Sequence, residues 1–435
     1  IIMDIALQGN AFAASSADMG YITIKENGMP EITDSTNTIK NVFRLLDRIS
    51  AKVGNPEFAN GIAQTYLVSR RLNGEVQLNE RREAKIAELQ NEKQTKKIKS
   101  QINKLENAKT TLTDKEKALL AKGEFKTLET QFPELQEMAA MLNAIQQRNV
   151  NLLEQAGVYS ESKAAEFRSR DWYVPLNKTL DDLEKSQNGI KQYFKGYTDI
   201  GQEFKYRGGS ERDIDNVLDN FVAKHFWSVN AALRNNANQE AANFVGIRDK
   251  DTNELVTYKT IAQVPKDKKQ FTATVFIEGE KVEVEYSDPA FAVAVRGPES
   301  PLVDTSIPSA FATLFRQTIT ANPIFQAYQV FNDSISAAAY SGVKKPFQLM
   351  KRVLASYPEI INDPDSPILQ QMRKAGVTGG YGLTPQEIIG KTRRELGLLP
   401  EGKLRKAAAY FEDLATHSDL AQRKAIYEQV LLETG

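Results

Sequence analysis

The 435-residue chain contains no cysteine and only two histidines, His225 and His417. The first absence excludes a disulfide framework, thiolate metal sites and thiol catalysis. The second rules out a histidine-rich metal centre and leaves a serine–histidine–aspartate triad only these two imidazoles to draw on. There is no excess charge of either sign, since 56 Lys and Arg balance 56 Asp and Glu. A global field that would gather a polyanion is therefore missing. No apolar run reaches the roughly 18–20 residues that a membrane-spanning helix needs, so no stable membrane span is expected. The opening "IIMDIALQGN" lacks the basic region of a secretory signal. It begins on Ile1 rather than methionine, which reads as an internal piece of a longer polypeptide.

What is present is close to an average globular composition, 41 % hydrophobic and 26 % charged. Helical periodicity dominates. In "TIKNVFRLLDRISAKV" (38–53), Ile39, Val42, Phe43, Leu45, Leu46 and Ile49 form a stripe. A second helix is expected over 56–74, with Gly74 as its C-terminal stop. From 80 to 126, 13 Lys or Arg face 8 Asp or Glu and aromatics are almost absent. Ile98, Ile102 and Leu105 keep helical spacing there, which suggests a long, solvated helix. "TDKE" (113–116) reads as a capping box that starts the next one. Leu135, Met138, Leu142, Ile145, Asn149 and Leu152 follow a heptad seam with Asn149 at a core position. An antiparallel pairing of this seam with 80–110 is expected.

"RDWYVPLNK" (170–178) interrupts the helices, and Trp172, Tyr173 and Pro175 suit a buried corner. In "QFTATVFIEGEKVEVEYSD" (270–288) the period changes to two, with Gly279 between two strands, which predicts a β-hairpin. Helix returns after 305. The segment after Asn322-Pro323 carries Phe325, Tyr328, Val330, Phe331 and Ile335 around much of its circumference, with Asp333 among them. It reads as core, as a subunit interface or as a membrane contact. The sum is a mainly α protein, a multi-helix elongated fold with a helical hairpin and one inserted β-hairpin. Four parts are expected: an N-terminal helical part (1–74), a charged helical hairpin (75–169), central helices with the β-hairpin (170–304) and a C-terminal helical part (305–435).

No catalytic, cofactor or metal site stands out. "GKT" (390–392) lacks the glycine of a phosphate-binding loop, because position 385 is proline. "TGGYG" (378–382) follows no strand and reads as a connection. His225, in "AKHFWSV", reads as a packed, hydrogen-bonded histidine, and His417 as part of a helix junction. Asp181/Asp182 and Asp213/Asp215 read as solvated helix faces and not as an acid–base pair. Lys93, Lys96, Lys97, Lys99 and Lys104 are candidates for contacting DNA phosphates, weighed against a plain solvated face.

One longer stretch raises a different question. "FKYRGGSERDIDNVLDNFVAKHFWSVNAALRNNANQEAANFV" (204–245) is a helix rich in asparagine and alanine behind a glycine turn. Asparagine is a poor helix former, so Asn230, Asn235, Asn236 and Asn238 are expected to fix helix–helix register through side-chain hydrogen bonds. "YVPL" (173–176) precedes this stretch. "VFIEGEKVEVEYSDPAFAVAVRG" (275–297), "TLFRQTITANPIFQAYQVFNDSISAAAYSG" (313–342) and "YFEDLATHSDLAQRKAIYEQVLLETG" (410–435) follow it. This succession resembles the large polyvalent protein-associated domains of giant proteins in tailed phages and mobile elements. The resemblance implies an internal virion (ejection) protein, packaged in the particle and delivered into the host envelope or cytoplasm with the genome. It implies self-association and contact with portal, tail or other ejection proteins, and no chemistry of the module's own. That family continues beyond its last helix, whereas this chain ends at Gly435. Two alternatives stand beside it: part of a phage-delivered lytic or nucleic-acid-processing enzyme, such as a carboxylate-only glycosidase, and a DNA-binding adaptor.

Overall fold

The computed structural model describes residues 9–92, 95–109, 111–175, 216–296, 346–363, 366–375, 377, 420–421 and 423–432. The helix expected after Asn322-Pro323, "GKT", "TGGYG", His417, Lys93 and the two aspartate pairs lie outside these residues.

The fold is mainly α. Helix α1 (Gly9–Met19) runs straight into a hairpin of β1 (Gly20–Ile24) and β2 (Pro30–Asp34), in which Ile22 faces Ile32. An N-terminal helical part was expected over 1–74, without strands. The strands are short and bury only Gly20 and these two isoleucines, so they leave a weak alternating pattern. Helix α2 (Ile39–Val53) is capped by Thr38, whose hydroxyl accepts from Asn41 N–H, and it stops at Gly54 in the left-handed conformation. Asn55 then caps α3 (Pro56–Gln90) by accepting from Glu57 and Phe58, with Pro56 in the first turn. Two residues thus fold α3 back on α2.

Gly74 does not end this helix. It is buried in mid-helix, and a Cβ built on it would fall inside the Trp172 indole. The position needs hydrogen for packing, not for a left-handed turn. The aromatic corner therefore sits on α3: Tyr173, Val174 and Pro175 are buried. The Arg71 guanidinium lies 4.7 Å from the Tyr173 ring centre, donates to Val174 O and pairs with Glu75 at 2.7 Å.

The charged stretch is two helices rather than one. α3 ends at Gln90, and α4 (Lys96–Asn107) restarts on Thr95, which caps Ile98 N–H. Ile86 and Leu89 of α3 bury against Ile102, with Ile98 and Leu105 alongside, so the stretch forms a hairpin with itself. Helix α5 (Asp114–Ala121) opens with the expected capping box of Thr113 and Glu116, and α6 (Glu124–Gln131) follows. In α7 (Glu134–Gln155) all six seam residues are buried. They do not pair with 80–110, because that hairpin satisfies its own narrow apolar edge. The seam packs on α2 and on the central helix α9 (Val217–Val245). Helix α8 (Glu161–Arg168) closes back on α7.

The expected β-hairpin is β4 (Thr272–Ile277) with β5 (Glu280–Glu285), joined through Glu278 and Gly279 at φ 50° and 81°. A short β3 (Thr257–Tyr258) adds to the other side of β5, giving the order β3-β5-β4. Val275, Val284 and Tyr286 bury against Ala242 and against Ala292 and Val295 of α10 (Pro289–Arg296). On the opposite face Glu283 and Glu285 are buried as well. Glu285 accepts from Tyr258 Oη and Lys268 Nζ, both at 2.7 Å, and Glu283 from Thr274 Oγ1 at 2.8 Å. Paired carboxylates survive burial because their partners replace the lost water.

Helix α11 (Pro346–Asn362), helix α12 (Pro367–Lys374) and residues 420–421 and 423–432 build a separate apolar cluster around Leu349, Val353, Leu369 and Met372. Among the described residues no helix is long and apolar enough to cross a membrane.

Candidate functional site

Helix α9 collects the polar chemistry of the interior. Its buried residues occupy much of its circumference, so several of its polar side chains meet other elements.

Near its N-terminal half, His225 is 4 % exposed and both ring nitrogens are engaged. Nδ1 lies 3.0 Å from Asn149 Oδ1, and Nε2 lies 2.9 Å from Ser16 Oγ and 3.2 Å from Ala13 O. Burial pulls the imidazole down to about 4, only partly opposed by the Ala13 carbonyl. The ring is thus neutral at pH 7 and carries one proton. As oriented, Asn149 offers an acceptor to Nδ1, which puts the proton there and makes Nε2 the acceptor for Ser16. The Ser16 hydroxyl, however, also lies 3.0 Å from Ala13 O. Rotating the Asn149 amide resolves the conflict. Nδ2, buried without a hydrogen-bond partner, would donate to Nδ1. Nε2–H would then donate to Ser16 Oγ or Ala13 O, and Ser16 would donate to Ala13 O.

Serine, imidazole and amide are spaced as in a nucleophilic triad, but the surroundings do not serve acyl transfer. Ser16 is 1 % exposed and its hydroxyl bonds back into its own helix. The adjoining cavity, lined by Tyr21, Arg148, Asn149 and His225, measures about 10 Å³, room for one water molecule. A substrate carbonyl has no approach. Sequence reasoning placed His225 and Asn149 in the core but did not join them to each other or to Ser16. The signal available was that two lone polar residues on apolar stripes each need a buried partner.

The asparagines act further along the helix. Asn235, fully buried, donates from Nδ2 to Ala156 O (2.6 Å) and Phe276 O (2.8 Å), and its Oδ1 accepts from Phe276 N–H at 2.9 Å. One amide thus ties the C-terminus of α7 to the outer edge of β4. In doing so it occupies donor and acceptor groups that an added strand would take. Gln239 donates to the same two carbonyls. Asn236 donates to Gly28 O in the β1–β2 turn at 2.9 Å. Asn238 is buried, while Asn230 bonds back to Phe226 O within the helix. The register role expected of the group holds for Asn235 and Asn236, toward a hairpin, a turn and a helix end rather than between two helices.

Lys96, Lys97, Lys99 and Lys104 project from α4 and are exposed. None of them forms an ion pair within the described residues. Among those residues no group of three or more Asp, Glu or His is placed to hold a metal ion.

The chain matches no known family model, no curated protein and no solved structure.

Proposed function

We propose that the chain is a structural and interaction module of a tailed-phage internal virion protein. In this reading it is packaged in the particle, ejected into the host with the genome, and assembled there with copies of itself and with portal, tail or other ejection proteins. The order of landmarks from "YVPL" to the last helix supports the reading. So does the use made of α9: its amides join a helix end, a turn and a strand edge, and its histidine joins two helices, instead of facing a cleft. That observation carries the proposal, because a helix built this way serves as scaffold. The enzymatic alternative would need a carboxylate pair facing substrate. The two buried glutamates of β5 are instead occupied by Tyr258, Lys268 and Thr274.

Mass spectrometry of purified virions tests the assignment. Peptides from this chain should copurify with the particle through a density gradient, and their absence from intact virions would overturn it.

A further inference from the structure

The α3–α4 hairpin presents two unlike faces. Inward, Ile98, Ile102 and Leu105 lie on Ile86 and Leu89. Outward, α4 carries Lys96, Lys97, Lys99 and Lys104, and between Lys96 and Leu105 the chain has no acidic residue. The face is local: acidic partners return at Glu106, and the neighbouring lysines Lys85 and Lys109 are paired with Glu88 and Glu83. A chain of zero net charge thus concentrates four cations, none in an ion pair among the described residues, on a rod of 12 residues, about 18 Å long.

We propose that this outward face of α4 binds the phosphate backbone of double-stranded DNA. Charge complementarity sets the class of ligand. Lys97 and Lys104 lie two turns apart on one line of the helix, about 10 Å along the axis, with Lys96 and Lys99 beside them. A straight helix bearing four ammonium groups contacts the phosphates of a rigid duplex as point charges. Single strands are disfavoured because they are held by stacking on aromatic side chains, and residues 75–124 contain none. Sequence-specific readout is also disfavoured, since the face holds no arginine fork for guanine edges. The inference does not rest on the virion assignment. A chain absent from virions that still bound duplex through α4 would sink that assignment and leave this one standing.

The test is fluorescence anisotropy of a labelled random-sequence duplex titrated with the protein from 50 to 200 mM salt. Four phosphate contacts predict a slope of log K against log [salt] of about −3 to −4, hence roughly a 100-fold loss of affinity across that range. Each Lys→Gln replacement should flatten the slope by about one. The combined variant Lys96→Gln, Lys97→Gln, Lys99→Gln, Lys104→Gln should abolish binding, while its thermal unfolding matches the wild type because all four side chains are exposed. A thymidine single strand of equal length should bind more weakly. No binding at 50 mM salt, equal binding by the fourfold variant, or preference for the single strand would each overturn the proposal.

Discussion

Asn235 makes three hydrogen bonds with its side chain fully buried. Each contributes only about 1 kcal/mol net, but removing the amide strands the desolvated Phe276 N–H and leaves Gln239 alone to serve the two carbonyls. Asn235→Ala should therefore cost about 3 kcal/mol in urea unfolding. It should also raise hydrogen exchange at Phe276 N–H, the group that Asn235 accepts from. A cost under 1 kcal/mol would show that Gln239 already suffices. His225 tests the same logic by pH. Its folded pKa of about 4 lies below the ordinary 6.5. The stability tied to a neutral ring is therefore complete above about pH 6.5 and is lost as the pH falls toward 4. Between pH 7 and pH 5 the wild type should lose about 2 kcal/mol more than His225→Gln does. An equal loss in both would mean that the imidazole protonates as readily folded as unfolded. The sequence showed that His225 belongs inside, because a lone polar side chain among Phe221, Trp227 and Val229 has few other places to be, whereas Asn235 stands in a polar run and drew notice only as a poor helix former. It did not show Ser16, since one serine in an alanine-rich helix looks like any other.

At the scale of elements, Gly74 offers a change of sign. Glycine in mid-helix is about 1 kcal/mol worse than alanine, so Gly74→Ala would stabilise an ordinary helix. Here the added methyl meets the Trp172 ring, and overpacking of this kind costs about 1–3 kcal/mol. Gly74→Ala should lower the melting temperature, whereas Gly74→Ala combined with Trp172→Leu should recover part of the loss. A more stable single variant would mean that the indole does not rest on α3. This position also shows where sequence reading stopped. Glycine followed by a charged, aromatic-poor stretch looks like a helix end, and the ring that needs the glycine lies about a hundred residues away. The α7 seam, the capping box at Thr113 and the β4–β5 hairpin were legible because spacing and local hydrogen bonds define them. The partner of the seam was not, since periodicity marks a buried face without naming what covers it. The β1–β2 hairpin had a signal in Asn27-Gly28 between Ile22 and Ile32, but five-residue strands beside a polar turn look like loop.

At the scale of the whole molecule, the apolar clusters divide the work. One extends from Phe12 to Leu233 through α1, α2, α3, α7 and α9, while Leu349, Val353, Ile360, Leu369 and Met372 form another with Ala421 and Ala425. The second is held by its own charges as well. Lys424, 3 % exposed, reaches Glu359 at 2.5 Å and Glu428 at 2.6 Å. Desolvation alone would lower its pKa, yet these two carboxylates outweigh burial and raise it. The links from α12 to the larger body are of another kind. Arg373 approaches Asp18 at 3.6 Å and Lys374 meets Asp34 at 2.6 Å, and the Lys374 pair is largely solvated. Exposed pairs contribute at most about 1 kcal/mol each and weaken as salt screens them. The two bodies should therefore part at salt concentrations that leave both cores folded. The absence of native cysteine makes the experiment direct, because cysteines introduced at Glu26 and Gln371, both exposed, would be the only sites for a fluorophore pair. Energy transfer should be high in 50 mM salt and fall in 1 M salt. In the double charge reversal Arg373→Glu, Lys374→Glu it should be low at both, with helical circular dichroism unchanged throughout. Transfer that stays high in the reversed variant at 1 M salt would show that apolar contact, not charge, seats α12 on α1 and β2.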